Sequence, residues 1–168
     1  MNVPSVIKAV DSESVDALAL LREAAVEARA LYPELFAGEL KWPSNPPTLP
    51  RGTYLIAYEA DVPVGCGALR PIDGVTVEVR RMYVSKAARR SGVARSLLAA
   101  LEAAAARMGY NAMRLETGNR QGPAMSLYES YGFARIAPFG EYATDSTSVC
   151  YEKHIANPAD ASQETPSK

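Results

Sequence analysis

The residues whose types and spacing could do chemistry begin at Arg89-Arg90-Ser91-Gly92-Val93-Ala94 and continue into Arg95 and Ser96. Upstream, Val75, Val77 and Val79 alternate as a strand does. Downstream, Val93, Leu97, Leu101, Ala104 and Met108 recur at helical spacing. A strand that turns into a helix leaves the first helical N–H groups unpaired and points the positive end of the helix dipole outward. Gly92 carries no side chain to hold a ligand off the backbone, and guanidinium groups stand beside it. This is the make-up of an anion site, and a pyrophosphate fits its length. The competing reading is that Arg80, Arg81, Arg89, Arg90 and Arg95 form a merely solvated basic face.

The positioning elements follow from the pattern on either side. Val3–Val10 reads as an edge strand, and Ser12 is placed to cap a helix with Val15, Leu18, Leu21, Ala25 and Ala28 on its apolar face. Pro33–Arg51 holds five of the chain's twelve prolines and reads as a long loop, with room for a short helix around Glu34–Leu40. Thr53–Glu59 and Val64–Arg70 are predicted to form a hairpin, followed by a strand over Val75–Val84. A helix from about Gly92 to Met108 ends at Gly109, and a strand follows over Asn111–Thr117. A helix opens at Pro123 and ends at Gly132. Phe133–Ala137 and Ser146–His154 form a last strand pair. The Val75–Thr117 unit should be a right-handed crossover joining two parallel strands.

Three motifs in order carry a resemblance. Arg89-x-x-Gly92-x-Ala94 resembles the R/Q-x-x-G-x-G/A signature of the GCN5-related N-acetyltransferases, the GNAT family. Glu78-Val79-Arg80-Arg81-Met82-Tyr83-Val84 is similar to that family's fourth strand. Ala124–Phe133 resembles its A-x-x-L-Y-E-x-x-G-F element. One departure is Gln121, where the family often has asparagine. The resemblance implies a mixed α/β fold: a mostly antiparallel central sheet, one parallel strand pair that splays apart, and flanking helices. It implies acetyl-CoA as co-substrate, with no metal. Residues Arg89 to Ser96 and Gln121 would hold the diphosphate end, and the backbone of Met82, Tyr83 and Val84 would pair with the amide-bearing arm. A backbone N–H near Met82 or Tyr83 would steady the charge that develops on the thioester oxygen. Tyr128 occupies the place of the family's general acid, which protonates the leaving thiolate. An attacking amine must lose a proton, and Glu78 is the first candidate to take it, with Glu116 second.

Composition bounds the rest. A chain of 168 residues, 48% hydrophobic and 22% charged, suits one globular domain, expected over 1–156, with a polar tail, 157–168, expected to be disordered. A net charge of −1 argues against nucleic acid or an anionic membrane as partner. No apolar run is long enough to span a bilayer and no export signal opens the chain, so a cytoplasmic location is expected. Cys66 and Cys150 lack ligand spacing and read as buried thiols; His154 reads as a surface residue. The expected function is direct acetyl transfer to a primary amine in a ternary complex, with a small-molecule acceptor favoured and a homodimer possible by analogy. The alternatives are a non-catalytic acyl-CoA sensor and an enzyme acting on a protein amine. Phe36, Trp42, Tyr142 and Asp145 could line the acceptor side or only fasten loops.

Overall fold

The alternation at the centre of the chain becomes the middle of a seven-stranded sheet in the computed structural model, which describes residues 5–36, 38 and 41–156. The strands are β1 (Val6–Ala9), β2 (Thr53–Glu59), β3 (Val62–Pro71), β4 (Thr76–Val84), β5 (Ala112–Gly118), β6 (Ala134–Ile136) and β7 (Ser148–His154). The helices are α1 (Val15–Leu31), α2 (Val93–Arg107) and α3 (Gly122–Tyr131). Strand order is β1-β2-β3-β4-β5-β7-β6, antiparallel throughout except for β4 beside β5. This is the mixed α/β architecture that the resemblance implied.

The fork in the sheet is visible in its register. β4 and β5 pair only from Thr76↔Ala112 to Val79↔Leu115, after which each strand runs on without the other. Past that point β4 is held from one side alone, by β3. There Arg81 enters the left-handed region, at φ 60°, and the β3–β4 register shifts between Cys66 and Ala68. Such a bulge puts two residues opposite one and changes which face the following side chains take. Val77, Val79, Met82 and Val84 therefore pack on the α2 side, with Leu97, Leu98 and Leu101. Tyr83 packs on the other side, with Ala17, Leu20, Tyr54, Ile56 and Cys66 under α1.

Two expectations about α1 were off. Ser14, not Ser12, caps the helix, accepting a hydrogen bond from the Ala17 N–H. Ser12 is buried and donates to the Pro46 carbonyl, 2.9 Å away. The buried face is Ala17, Leu20 and Leu21, whereas Val15 is 83% exposed. The alanine-rich sequence offers several equally apolar stripes, and Ser12 has a tertiary partner that outcompetes a local cap. The short helix expected around Glu34–Leu40 is a 3-10 turn over Pro33–Leu35, and residues 37, 39 and 40 lie outside the described residues, as does the predicted tail. The hairpin is tighter than predicted: Ala60 and Asp61 both have positive φ, as two-residue primed turns need, and β3 starts at Val62. Both cysteines are buried and free, and His154 is exposed. Among the described residues no helix is long and apolar enough to cross a membrane.

Candidate active site

The turn before α2 is a backbone construction. Arg90 and Gly92 both have positive φ, 65° and 85°, and α2 starts without a side-chain cap. Its first N–H groups therefore face outward with the positive end of a fifteen-residue helix dipole. A Cβ placed at Gly92 would meet nothing within 4 Å, so the ground beside the turn is open. Val93 is buried and Ala94 half-buried, whereas Arg90, Ser91, Arg95 and Ser96 are exposed. The Ser91 hydroxyl donates to the Ala88 carbonyl, tightening the loop from within.

The five arginines do not share one surface. The Arg89 guanidinium folds back to the Val84 carbonyl and Glu27 and lies over the Tyr83 ring. Arg95 reaches to Ser130 and stacks on Tyr131. Arg80 and Arg81 belong to the opposite side of the sheet: Arg80 shares the α1 face with Glu78 by ordinary alternation, and the bulge turns Arg81 to that face as well. Gln121 is the residue before α3 and donates its backbone N–H to the Gly118 carbonyl, closing the β5–α3 loop.

Glu78 is buried between cations. Its carboxylate lies 2.9 Å from Arg70 and 3.4 Å from Arg80, and accepts a 2.6 Å hydrogen bond from the Tyr142 hydroxyl. Burial, and the bond to Glu78, push the Tyr142 phenol up. Glu116 stands on β5 just past the last β4 pair and is held more lightly, by a 3.2 Å bond from Ser148. Burial pushes its carboxyl above the usual range. The Ser148 bond opposes this, and the charges of Asp145 and Glu78 reinforce it. Tyr128, on α3, is buried against Phe133 and Tyr151, with ring centroids 5.9 and 6.1 Å away. Burial and then the charge of Glu116 push its phenol up, so it keeps its proton at neutral pH. Tyr128 and Glu116 are thus electrostatic neighbours at the fork of the sheet.

Two contributors, Arg70 and Tyr32, were not legible in sequence, nor was the contact that Tyr142 makes with Glu78. Arg70 comes from the neighbouring strand, at Arg70↔Glu78. Tyr142 comes from the β6–β7 loop. Tyr32, buried at the end of α1, lays its ring over the end of β5: a Cβ at Gly118 would collide with its hydroxyl, which accepts the Arg120 N–H at 2.8 Å. A glycine ending a strand was the only local sign of that close approach.

A sheet forked between two parallel strands, with an open helix start beside the fork, defines an acyltransferase class of architecture. The profile of the Acetyltransferase (GNAT) family matches residues 17–133, and the chain belongs to that family of N-acetyltransferases. It is 38% identical over 108 residues to the uncharacterized N-acetyltransferase YsnE of Bacillus subtilis, covering 63% of this chain and 72% of that one. It is 39% identical over 103 residues to the IAA acetyltransferase of Azospirillum brasilense, covering 61% and 67%. Among solved structures, an acyl-CoA N-acyltransferase fold from Klebsiella pneumoniae superposes with a TM-score of 0.75 at 28% identity, over 92% of this chain and all of that one. A GNAT acetyltransferase from Elizabethkingia anophelis, solved with acetyl-CoA bound, shares the fold with a TM-score of 0.62 at 19% identity, over 90% and 98%.

Proposed function

We propose that this chain transfers an acetyl group from acetyl-CoA to a primary amine on a small molecule, by direct attack within a ternary complex. The observation that carries the reading is the parting of β4 and β5 after Val79↔Leu115, with Glu116 and Tyr128 just beyond it. Acetyl-CoA supplies an activated acyl thioester, and the residues around the fork fit its parts. The open backbone from Arg89 to Ser96, with Arg90 and Gly92 in the left-handed region, suits the diphosphate; Gln121, which follows β5 at the same end of the parallel pair, is assigned with it. The unpaired side of β4 at Met82, Tyr83 and Val84 suits an amide-bearing arm, as a strand edge suits a strand. A backbone N–H there would answer the charge on the thioester oxygen.

Proton transfer falls to two groups. Tyr128 is buried with its proton retained, and donates it to the departing thiolate. For the base, chain position alone favours Glu78, but three partners already hold that carboxylate. Glu116, lightly bonded and with its pKa raised toward working pH, is the better proton acceptor, and Glu78 positions Arg70, Arg80 and Tyr142. No cysteine is available as a nucleophile: both are buried, and burial pushes the Cys66 thiol up to about 11.

The test is release of free thiol from acetyl-CoA in the presence of a panel of amines. Tyr128→Phe should lower kcat by roughly 10²-fold, while the acetyl-CoA Kd measured by calorimetry stays within a few-fold. Failure of the wild-type protein to bind any acyl-CoA would defeat the reading.

A further inference from the structure

We propose that the amine acceptor also carries a carboxylate, which Arg81 receives together with Arg70 and Arg80 on the α1 side of the sheet. This rests on the acetyl-transfer reading above and names the class of acceptor. Arg70, Arg80 and Arg81 line one small, half-open cavity of about 50 Å³ together with Asn45, Tyr54 and Leu69. Since one water takes roughly 10–15 Å³ of such space, there is room for a carboxylate.

Charge balance singles out Arg81. Glu78 and Glu141 are each shared between Arg70 and Arg80, at 2.9 and 3.4 Å for Glu78 and 3.6 and 3.3 Å for Glu141. That leaves three cations against two carboxylates. Arg81 has no carboxylate partner among the described residues. Its Nε donates to the Asn45 Oδ1 at 3.0 Å and its Nη2 to the Ser44 carbonyl at 3.3 Å, both uncharged. Burial, and then the charge of Arg80, push its pKa below the usual arginine range. A guanidinium has five N–H donors, and these two bonds leave most of the fork unused. A half-buried cation beside other cations is stabilised by an anion, and a carboxylate matches the guanidinium fork in shape as well as charge.

The arrangement is also braced. Asn45 is buried, and its Nδ2 donates to the Ser12 carbonyl at 2.8 Å and the Tyr54 hydroxyl at 3.3 Å, so its Oδ1 is held facing Arg81. Arg80 borders both the cavity and the Glu78–Tyr142 network, which joins the charge pocket to the fork.

Two sources of such an acceptor exist: a free amino acid, and a peptide whose amino-terminal residue is acidic. The experiment measures thiol release from acetyl-CoA with free amino acids, the same amino acids as carboxamides, and short peptides beginning with Asp or Glu beside their Asn and Gln counterparts. The expected result is a kcat/KM at least tenfold higher for the carboxylate member of a pair, and the arm in which this appears identifies the source. Arg81→Asn, a residue that accepts left-handed backbone, should cut that preference at least fivefold through KM, with the acetyl-CoA Kd retained. Arg70→Gln, where the backbone is ordinary strand, should do the same if Arg81→Asn does not fold. Equal rates for carboxylate and carboxamide, or an undiminished preference in the folded variants, would overturn the proposal. So would refusal of every carboxylate acceptor by a protein that binds acetyl-CoA normally, whereas loss of acetyl-CoA binding itself would remove the acetyl-transfer reading first.

Discussion

The two sides of the fork are built by different means. The turn before α2 and that helix's first turn make up eight consecutive residues, Arg89 to Ser96, whose effect comes from backbone: left-handed dihedrals at Arg90 and Gly92, and uncapped N–H groups at a helix start. The opposite wall is built of side chains from separate segments: Arg70 on β3, Glu78, Arg80 and Arg81 on β4, Asn45 from the long loop, and Glu141 and Tyr142 from the β6–β7 loop. Backbone donors tolerate most substitutions around them and fail only where bulk or charge enters their space. A side-chain wall changes with any one of its members. One fold can therefore keep the donor half constant while the other half takes a different acceptor.

The comparison breaks first, and most strongly, at Gly92. Gly92→Glu puts a negative charge where the proposed diphosphate lies, and like charges in contact cost several kcal/mol. The acetyl-CoA Kd should rise about a thousandfold, which corresponds to about 4 kcal/mol. Nothing lies within 4 Å of a Cβ there, so the cost to folding that the backbone imposes is strain at φ 85°. Gly92→Asn tolerates that strain and should bind within a few-fold of wild type. Calorimetry on both variants, with circular dichroism to establish folding, decides the matter: a folded Gly92→Glu protein with normal affinity would remove the turn from the site.

Glu116→Gln sharpens the comparison by separating rate from stability. If Glu116 takes the amine proton, kcat should fall about 10²-fold and the acidic limb of the pH–rate profile should disappear. The stability effect has the opposite sign. Burial raises the folded-state pKa of Glu116 above its unfolded value. Its contribution is then full below the unfolded pKa and is lost as pH rises through the folded one, because the buried group must ionise. The Gln variant should therefore be at least as stable as wild type at pH 7 relative to its difference at pH 4. Thermal unfolding at the two pH values checks this. A variant that loses rate and also loses more stability at pH 7 than at pH 4 would mark Glu116 as a structural anion.

The legible half of the protein is the contiguous half. β4, α2, β5 and α3 follow from local period and punctuation: Val77 and Val79 alternate, Leu97 and Leu101 repeat at helical spacing, and Gly109 and Gly132 end helices at φ 89° and 110°. What local pattern could not give is parity after the bulge. Strict alternation puts Arg81 on the face of Val77 and Val79, whereas the left-handed turn at Arg81 hands that face to Met82 and Val84. Arg81 thereby joins Arg80, which alternation already puts on the face of Glu78, and both lie apart from the basic group around Gly92 to which chain position assigned them. Arg70 and Tyr142 meet Glu78 only because β3 pairs with β4 and the β6–β7 loop folds over both. No spacing in the chain encodes either contact. The same limit applies to α1, where Leu18 and Leu20 are equally apolar and packing alone chose Leu20.

The smallest effect is expected at Tyr142, whose carboxylate partner Glu78 keeps two other partners. The Tyr142 hydroxyl donates to Glu78 at 2.6 Å and accepts from Arg80 at 2.7 Å, while its ring sits edge-on to Phe139 at 5.4 Å. Tyr142→Phe keeps the ring contact and removes both bonds. Hydrogen bonds to charged groups are worth about 1.5–3 kcal/mol when buried, but Glu78 retains Arg70 and Arg80, and the vacated space opens toward a loop that water reaches. A net loss of about 1 kcal/mol in unfolding free energy is expected. The acceptor KM should rise several-fold, with no change in acetyl-CoA affinity, because the loop's hold on Arg80 is loosened while the turn before α2 is untouched. If the acetyl-CoA Kd moves as far as the acceptor KM, the two halves of the site are mechanically coupled, and the division between a backbone half and a side-chain half fails.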